Sequence, residues 1–235
     1  MKALILAGGI GSRLAPLTDN CPKSLVEVNG TPILIKQINN LQENGITDIT
    51  IVVGYKAEMI KAAVTAQYPN VHFICNEEYL STNNMYSAWL SRESIKGEDF
   101  LMMNADVFFD ASVIAALLRC PIDNAIVTDI GRYMEESMKV VEKDGRLIQI
   151  SKSISKENAL GVSIDVYKFS AAGGNAFFAK CEEYILKNNE RNMWTEVAIN
   201  DIFADVNFGV CPLDGRWIEI DNLDDLDEAK RLFIN

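Results

Sequence analysis

MKALILAGGIGSRLAPLTDNCPKSL, residues 1–25, is the stretch that decides the fold of this chain. It opens with an apolar run at residues 3–7, which is short enough for a buried strand, and a turn with Gly8, Gly9 and Gly11 follows. Glycines let the main chain approach a ligand closely, and successive backbone N–H groups in such a turn form a concave site for an anion. The stretch therefore predicts a strand that leads into a phosphate-binding loop, although an ordinary turn would show the same pattern.

The loop differs from the two common nucleotide-binding motifs. From Gly9 the residues read GIGSRL, so the third glycine of G-x-G-x-x-G is missing, and no G-x-x-x-x-G-K-[ST] segment occurs. Two cationic side chains, Arg13 and Lys23, belong to the same segment and suit a phosphate ligand. Because the net charge of the chain is −11, a bound triphosphate needs such locally concentrated cations together with a divalent metal.

Length and composition favour one domain that spans residues 1–235. The hydrophobic content is 49%, enough for a sizeable core, and no linker rich in proline or serine divides the chain. No apolar run approaches the roughly 18 residues of a membrane span, and the first run is too short for a signal peptide. The five cysteines are scattered without a C-x-x-C pair, which argues against a zinc site and fits a reducing cytoplasm. The acidic balance argues against nucleic acid as a partner.

Strands and helices alternate along the first third of the chain. Residues 31–45 have the apolar spacing of an amphipathic helix, β-branched residues fill 49–53, residues 56–67 fit a second helix, and 71–75 fit a short strand. This alternation predicts an α/β fold whose parallel sheet is covered on both faces by helices. Ligands of such sheets bind beyond the carboxyl ends of the strands, so the glycine loop is expected at that edge.

Acidic residues end two of the later predicted strands. An apolar strand over 100–104 leads to Asp106, and a strand over 217–221 ends with Asp221. The next helix after Asp106 already has Asp110 as a candidate cap, which leaves Asp106 for another role. Mg²⁺ takes one or two carboxylates plus substrate phosphates, so Asp106 is interpreted as a Mg²⁺ ligand. Asp221, taken by itself, suits the N-cap of the last helix.

Two further segments carry charged or aromatic side chains on predicted elements. Asp144-Gly145 is a strong two-residue turn signal and predicts a β-hairpin with Lys139 and Lys152 on opposite arms, where lysines are ordinarily solvated. The segment WTEVAINDIF predicts a short helix that begins with Trp194 and carries Glu196. An aromatic face and a carboxylate together can hold an ammonium group, although an exposed acidic turn above a core tryptophan fits the same residues.

LAGGIGSRLAPLT, followed by PKSLVEVNGTPIL, resembles the N-terminal signature of the nucleotidyltransferases that join a nucleoside triphosphate to a phosphorylated small molecule. The family form is roughly L-A-(A/G)-G-x-G-(S/T)-R-(L/M)-x-P-L-T, a gap, and then P-K-x-(L/M). The segment NNMYS at 83–87 is similar to the N-(N/T)-x-Y-S segment of the cytidylyltransferase branch, which acts on phosphocholine and related amino compounds. The resemblance implies a Rossmann-like α/β fold with a mixed, mostly parallel sheet flanked by helices.

The resemblance also implies roles for individual residues. The catalytic cations would be Arg13, Lys23, Lys139 and Lys152. The nucleotide would contact Leu6, Ala7, Gly8, Gly9, Gly11, Ser12, Asn83, Asn84 and Ser87. The acceptor would contact Tyr86, Asp129, Trp194 and Glu196. The metal would be bound by Asp106 and Asp221, with help from Glu219.

The function that the resemblance implies is the transfer of CMP from CTP to a phosphorylated or phosphonated amino compound, with Mg²⁺ as cofactor and pyrophosphate as the second product. Phosphocholine and 2-aminoethylphosphonate are the leading acceptors. Two alternatives stay open: a sugar-1-phosphate nucleotidyltransferase that uses UTP or dTTP, and a nucleotide-binding regulatory domain without turnover. The family often has a glutamate after the glycine near residue 161, but Val162 follows Gly161 here, so one acceptor contact is unassigned. The sequence also leaves open a homodimer or a fusion to a further domain.

Overall fold

A computed structural model describes residues 1–234, in which strands and helices alternate as expected for an α/β protein. The strands are β1 Lys2–Ala7, β2 Glu27–Val28, β3 Thr31–Pro32, β4 Ile49–Val53, β5 His72–Cys75, β6 Phe100–Asn104, β7 Val107–Phe109, β8 Asn124–Ile130, β9 Lys139–Lys143, β10 Arg146–Ser151, β11 Gly161–Phe169, β12 Phe208–Pro212 and β13 Trp217–Glu219. The helices are α1 Leu17–Asn20, α2 Ile33–Glu43, α3 Ala57–Thr65, α4 Asn84–Leu90, α5 Arg92–Ile95, α6 Ser112–Arg119, α7 Ala171–Glu182, α8 Thr195–Ile202 and α9 Leu223–Leu232. Short 3₁₀ turns at Ser12–Leu14 and Lys23–Leu25 and a π turn at Glu183–Lys187 complete the set.

The central sheet is mixed and mostly parallel, which confirms the expected fold class. β5, β4, β1 and β6 lie side by side and are parallel. β11 runs antiparallel to β6 and to β8, and β12 is parallel to β8, so β11 is the one reversed strand in this row of seven. The β9–β10 hairpin joins the start of β11. Most strands therefore point their carboxyl ends at the same edge, where the glycine loop leaves β1.

Both faces of the sheet are buried, as the continuous apolar run of β1 predicts. Successive side chains of a strand point to opposite faces. Ala3 and Ile5 accordingly pack into one core with α2, α3 and α6, while Leu4 and Leu6 pack into a second core with α4, α7 and α8. Each large apolar side chain buried in this way contributes about 1.5–3 kcal/mol to folding. The two cores hold the sheet edge in place from both sides.

Local signals set most element boundaries, but one predicted helix begins later than expected. The predicted helix over 31–45 begins at Ile33, because Thr31–Pro32 instead pairs with Glu27–Val28 as a short antiparallel ribbon. The hairpin turn is at the expected Asp144 and Gly145, both of which have positive φ (53° and 78°), as a type I′ turn requires. Within residues 1–234 no helix is both long enough and apolar enough to cross a membrane.

Candidate active site

A cleft of about 360 Å³ opens at the carboxyl ends of β1 and β6. This is the edge at which sheets of this kind bind ligands. Most of the residues expected to contact the nucleotide or metal lie along it. The lining includes Leu6, Gly8, Gly9, Gly11, Ser12, Arg13, Lys23, Asn83, Asn84, Ser87, Asp106, Lys152, Trp194, Glu196, Glu219 and Asp221. The remaining expected nucleotide contact, Ala7, lines a small depression that adjoins the cleft near Lys23 and Asp106.

The glycine loop packs directly on Lys23. Gly11 has a φ of +69°, in the left-handed region that favours glycine, and a Cβ at this position would lie 2.6 Å from the Cβ of Lys23. The hydroxyl of Thr18 donates a hydrogen bond to the carbonyl of Gly11 at 2.9 Å. The loop thus brings its backbone against the lysine, and only glycine fits at the contact.

Lys23 lies between two carboxylates. Its Nζ is 2.9 Å from Oδ2 of Asp106 and 2.7 Å from Oδ1 of Asp221, and the guanidinium of Arg13 is 2.8 Å from the other oxygen of Asp221. Burial alone would lower the pKa of Lys23, but the two carboxylates outweigh it and raise the pKa above its ordinary value. The lysine therefore stays protonated, and the charges of the two aspartates are compensated by cations of the signature segment.

Three carboxylates meet beside Lys23, and two of them come from a strand outside the main sheet. Asp106 follows β6 of the central sheet, whereas Glu219 and Asp221 lie at and after the end of β13, which pairs only with β7 in a separate two-stranded ribbon. Glu219 lies opposite Val107 in that ribbon, and the N–H of Ile220 donates to the carbonyl of Asp106 at 2.9 Å. The ribbon, rather than the rim of the main sheet, brings the acids together.

The carboxylate group fits a divalent cation. Asp106, Glu219 and Asp221 each offer one oxygen, and these oxygens lie within 4.8 Å of one another. Oδ1 of Asp106 is buried without a hydrogen-bond partner among the described residues. Burial raises the pKa of Glu219, and the neighbouring acids raise it further. Hard carboxylate oxygens are the ligands that Mg²⁺ prefers, and the unpartnered oxygen of Asp106 is open to such an ion.

Asp221 does not cap the last helix. Asn222 is the N-cap of α9, and it forms a capping box with Asp225, whose side chain accepts the N–H groups of Asp221 and Asn222. The side chain of Asp221 is consequently free to contact Lys23 and Arg13, which leaves it for the site.

The first turn of α4 lines the other side of the glycine loop. The side chain of Asn83 caps this helix by accepting the N–H of Asn84, and Ser87 Oγ accepts a hydrogen bond from Nδ2 of Asn76 at 3.1 Å. Asn76 and Thr82 also line the cleft and were not expected from the sequence. Asn76 directly follows β5, so its place after a strand could have identified it.

Tyr167, Glu196 and Asp165 form a hydrogen-bonded cluster whose two carboxyl groups line the cleft. The hydroxyl of Tyr167 lies 2.6 Å from Oε1 of Glu196 and 3.0 Å from Oδ1 of Asp165, and Asn104 Nδ2 donates to the other oxygen of Asp165 at 3.1 Å. Burial raises the pKa of Asp165 and of Glu196, and the nearby charge of Glu196 raises that of Asp165 further. Nζ of Lys152 is 5.0 Å from the ring centre of Trp194 beside them.

Asp165 was missed by the sequence analysis. It interrupts the apolar strand VSIDVYKF at a shift in the register between β11 and β8, and its φ of +58° is in the left-handed region. An acidic residue inside an otherwise apolar strand is the signal that could have identified it.

Three expected site residues do not line the cleft. The carboxylate of Asp129 accepts the indole N–H of Trp217 at 2.9 Å and pairs with Arg132, so it is engaged elsewhere. Lys139 is fully buried, and its Nζ donates to the carbonyls of residues 134 and 135 instead of reaching a ligand. Tyr86 is turned away from the cleft and donates its hydroxyl proton to Glu78 at 2.7 Å. The catalytic and acceptor roles implied for these residues therefore lack a matching position.

Comparisons with known proteins identify the family of this chain. Residues 2–137 match the sequence model of the family described as "Nucleotidyl transferase". The chain is 26% identical over 249 residues to CTP:phosphoglutamine cytidylyltransferase of Campylobacter jejuni, covering 97% of this chain and 98% of that protein. It is 28% identical over 229 residues to 2-aminoethylphosphonate cytidylyltransferase of Lancefieldella rimae, covering 96% and 90%. The solved structure of CTP:phosphocholine cytidylyltransferase from Streptococcus pneumoniae superimposes with a TM-score of 0.83 at 24% identity over 99% of both chains, a likeness of fold.

Proposed function

The chain belongs to the nucleotidyl transferase family, and we propose that it transfers CMP from CTP to a small phosphorylated or phosphonated amino compound with release of pyrophosphate. Its full-length relatives named above are cytidylyltransferases for phosphoglutamine and for 2-aminoethylphosphonate, both of which carry an amino group. These names support CTP as the donor and an amino compound as the acceptor.

The observation that carries the proposal is that one cleft joins two chemically different ends. At one end the glycine loop, Arg13 and Lys23 offer backbone amides and positive charge to a triphosphate. At the other end, Trp194 and two carboxylates offer an aromatic face and negative charge to an amino compound. A volume of about 360 Å³ lies within the range of small-molecule sites.

The reaction needs no general base from the protein. An acceptor oxygen that is already anionic attacks the α-phosphorus of CTP; the new O–P bond forms as the bond from the α-phosphorus to the bridging oxygen breaks, and pyrophosphate takes the electron pair. The single histidine, His72, lies exposed on β5 and is not among the cleft residues. Catalysis therefore depends on positioning and on neutralising charge. Lys23 would neutralise charge at the α-phosphate, while Arg13 and the loop amides would hold the departing pyrophosphate.

Asp106, Glu219 and Asp221 would hold Mg²⁺. When bound, the ion would neutralise phosphate charge beyond what the two cationic side chains supply. The buried, unpartnered oxygen of Asp106 supports this assignment, because a buried carboxylate oxygen without a donor is costly unless a cation takes it.

The test is pyrophosphate release with CTP, UTP or dTTP in the presence of Mg²⁺. The acceptors would be phosphocholine, phosphoethanolamine, 2-aminoethylphosphonate, phosphoglutamine and glucose 1-phosphate. We expect release with CTP and at least one amino compound, and loss of that release in Asp221→Asn. Asp214→Asn is the matched control, since this aspartate is 57% exposed and pairs only with Arg119 at 3.7 Å. Release with glucose 1-phosphate and UTP or dTTP alone would contradict the proposal, and binding of CTP without release would favour a regulatory domain.

A further inference from the structure

We propose that the acceptor carries a primary ammonium group and that Asp165 and Glu196 bind it. The inference rests on the proposed function and deepens it, because it selects among amino compounds. It separates acceptors with N–H donors, such as 2-aminoethylphosphonate, from trimethylated ones such as phosphocholine.

The two carboxylates lack a cationic partner within the protein. Glu196 is 3% exposed, and no lysine or arginine nitrogen among residues 1–234 lies within 4.0 Å of either carboxylate. Lys152 also lines the cleft, but its ammonium lies over the ring of Trp194 and makes no ion pair within 4.0 Å among the described residues. Two carboxyl groups this close together and without a cationic partner resist ionisation, so a cation from the acceptor would stabilise their charged forms.

The pair is also short of hydrogen-bond donors. The hydroxyl of Tyr167 is within reach of both carboxylates but carries one proton, so it can donate to only one of them at a time. Asn104 supplies one further donor, to Asp165. A primary ammonium brings three N–H donors and a positive charge, and the lone pairs left on these carboxylate oxygens can accept from it.

A trimethylammonium group would fit this end less well. Proteins hold such groups with several aromatic faces, because they have no N–H to donate. Tyr79 and Trp194 are the aromatic residues among those that line the cleft in the described part of the chain. Tyr79 lies beside Gly54, which in turn packs on Gly8 of the glycine loop, so we assign Tyr79 to the nucleotide side and Trp194 to the acceptor. One aromatic face beside two carboxylates favours N–H over N–CH₃.

The experiment compares acceptors that differ only at the nitrogen. Propylphosphonate has the shape of 2-aminoethylphosphonate with a methyl group in place of the ammonium, and phosphocholine is the trimethylated form of phosphoethanolamine. We expect kcat/KM with CTP to be about 100-fold higher for 2-aminoethylphosphonate than for propylphosphonate, and about tenfold higher for phosphoethanolamine than for phosphocholine.

Asp165→Asn tests the residue itself. It removes the charge but keeps the shape, and we expect it to reduce the preference for 2-aminoethylphosphonate over propylphosphonate at least tenfold while the KM for CTP stays within about threefold. Glu196→Gln should act in the same direction, which provides a second variant if one of them fails to fold. Asp201→Asn is the matched control. Asp201 lies on α8 with Glu196, and its carboxylate accepts the hydroxyl of Tyr184 at 2.7 Å, but it is exposed. It should leave the preference unchanged.

The outcomes separate this inference from the function on which it rests. Turnover that is as fast with propylphosphonate or phosphocholine as with their amino partners would overturn the ammonium assignment and leave the cytidylyltransferase intact. Equal losses for both members of a pair in Asp165→Asn would do the same, since a purely structural role moves both rates together. Pyrophosphate release with none of these acceptors, or only with glucose 1-phosphate, would overturn the proposed function and this inference with it.

Discussion

Replacing Lys23 with methionine should separate its role in turnover from its role in the resting protein. The side chain is 13% exposed, and its Nζ lies 2.9 Å and 2.7 Å from the carboxylates of Asp106 and Asp221. Methionine has a similar length and no charge, so the variant removes the cation and little of the packing. Two consequences should follow, one for catalysis and one for the free protein.

The loss in turnover follows from removing one preorganised charge at the transferring phosphate. Such a donor is worth about 2–4 kcal/mol of barrier, which corresponds to a fall in kcat of about 10²- to 10³-fold. In the free protein, loss of one member of a buried ion pair costs about 3–5 kcal/mol. Here Arg13 still pairs with Asp221, and the two carboxylates keep 20–26% of their exposure, so we expect a smaller loss of about 1–2 kcal/mol.

The assays are single-turnover pyrophosphate release, urea unfolding, and titration of the nucleotide-free protein with Mn²⁺. Because the lysine occupies the space between the two candidate metal ligands, the Lys23→Met variant should bind Mn²⁺ more tightly than the unchanged protein, and Mn²⁺ should restore part of its stability. Lys61→Met is the control: Lys61 pairs with Glu58 at 2.7 Å on α3, away from the cleft, and its loss should leave turnover, Mn²⁺ binding and the urea midpoint unchanged within error. Turnover within a few-fold of the unchanged enzyme, or unaltered Mn²⁺ binding, would refute this reasoning.

Three further changes have expected outcomes. Gly11→Ala should lower kcat/KM for CTP about 10- to 100-fold, measured by initial rates. The new Cβ would lie 2.6 Å from the Cβ of Lys23, and Gly11 has a φ of +69° that disfavours alanine. Unchanged kinetics would contradict the close packing of the loop. Asp110→Asn should lower the free energy of unfolding by about 1 kcal/mol at pH 7, because Asp110 accepts two side-chain hydrogen bonds from Arg216. Burial would raise the pKa of Asp110, but Arg216 outweighs burial, so the folded pKa lies below the unfolded value of about 3.9. The difference in unfolding free energy between Asp110→Asn and the unchanged protein should therefore disappear as the pH falls below about 4. A difference that persists at lower pH in urea melts would exclude the ion pair as its cause. Burial and Glu196 raise the folded pKa of Asp165, so above about pH 4 the folded state holds a proton that the unfolded chain has lost. The unchanged, ligand-free protein should therefore lose stability as the pH rises above about 4, and Asp165→Asn should remove this loss. Parallel stability-versus-pH curves for the two proteins from pH 4 to 8 would contradict the prediction.

The part of the site that is local in sequence could be predicted, and the part that depends on long-range packing could not. The glycine loop, Arg13 and Lys23 lie within one short segment, and Asp106 directly follows a buried strand, so pattern and strand direction suffice for them. The turn at Asp144-Gly145 was predictable for the same reason, because its backbone angles are dictated by two adjacent residues.

Residues at strand ends were harder to place, because their direction depends on neighbours that sequence spacing does not identify. Asp129 and Asp106 both lie at or near the carboxyl end of a strand, yet Asp129 turns to the indole of Trp217 while Asp106 faces the cleft. Lys139 begins a hairpin arm as expected, but it is drawn into the protein by the carbonyls of the preceding loop. Asp165 escaped notice because a shift in strand register, visible only when β8 and β11 are paired, turns it toward the cleft.

Three hydrogen bonds join the segment that carries Trp194 and Glu196 to the first turn of α4. The side-chain oxygen of Asn84 accepts the N–H of Thr195 at 2.9 Å, and the N–H groups of Asn83 and Met85 donate to the carbonyls of Arg191 and Met193. The segment that carries Trp194 and Glu196 is therefore fixed to the first turn of α4, which itself borders the glycine loop. These partners are more than 100 residues apart in sequence, which explains why the local pattern could identify Glu196 as a candidate but not its distance from the nucleotide.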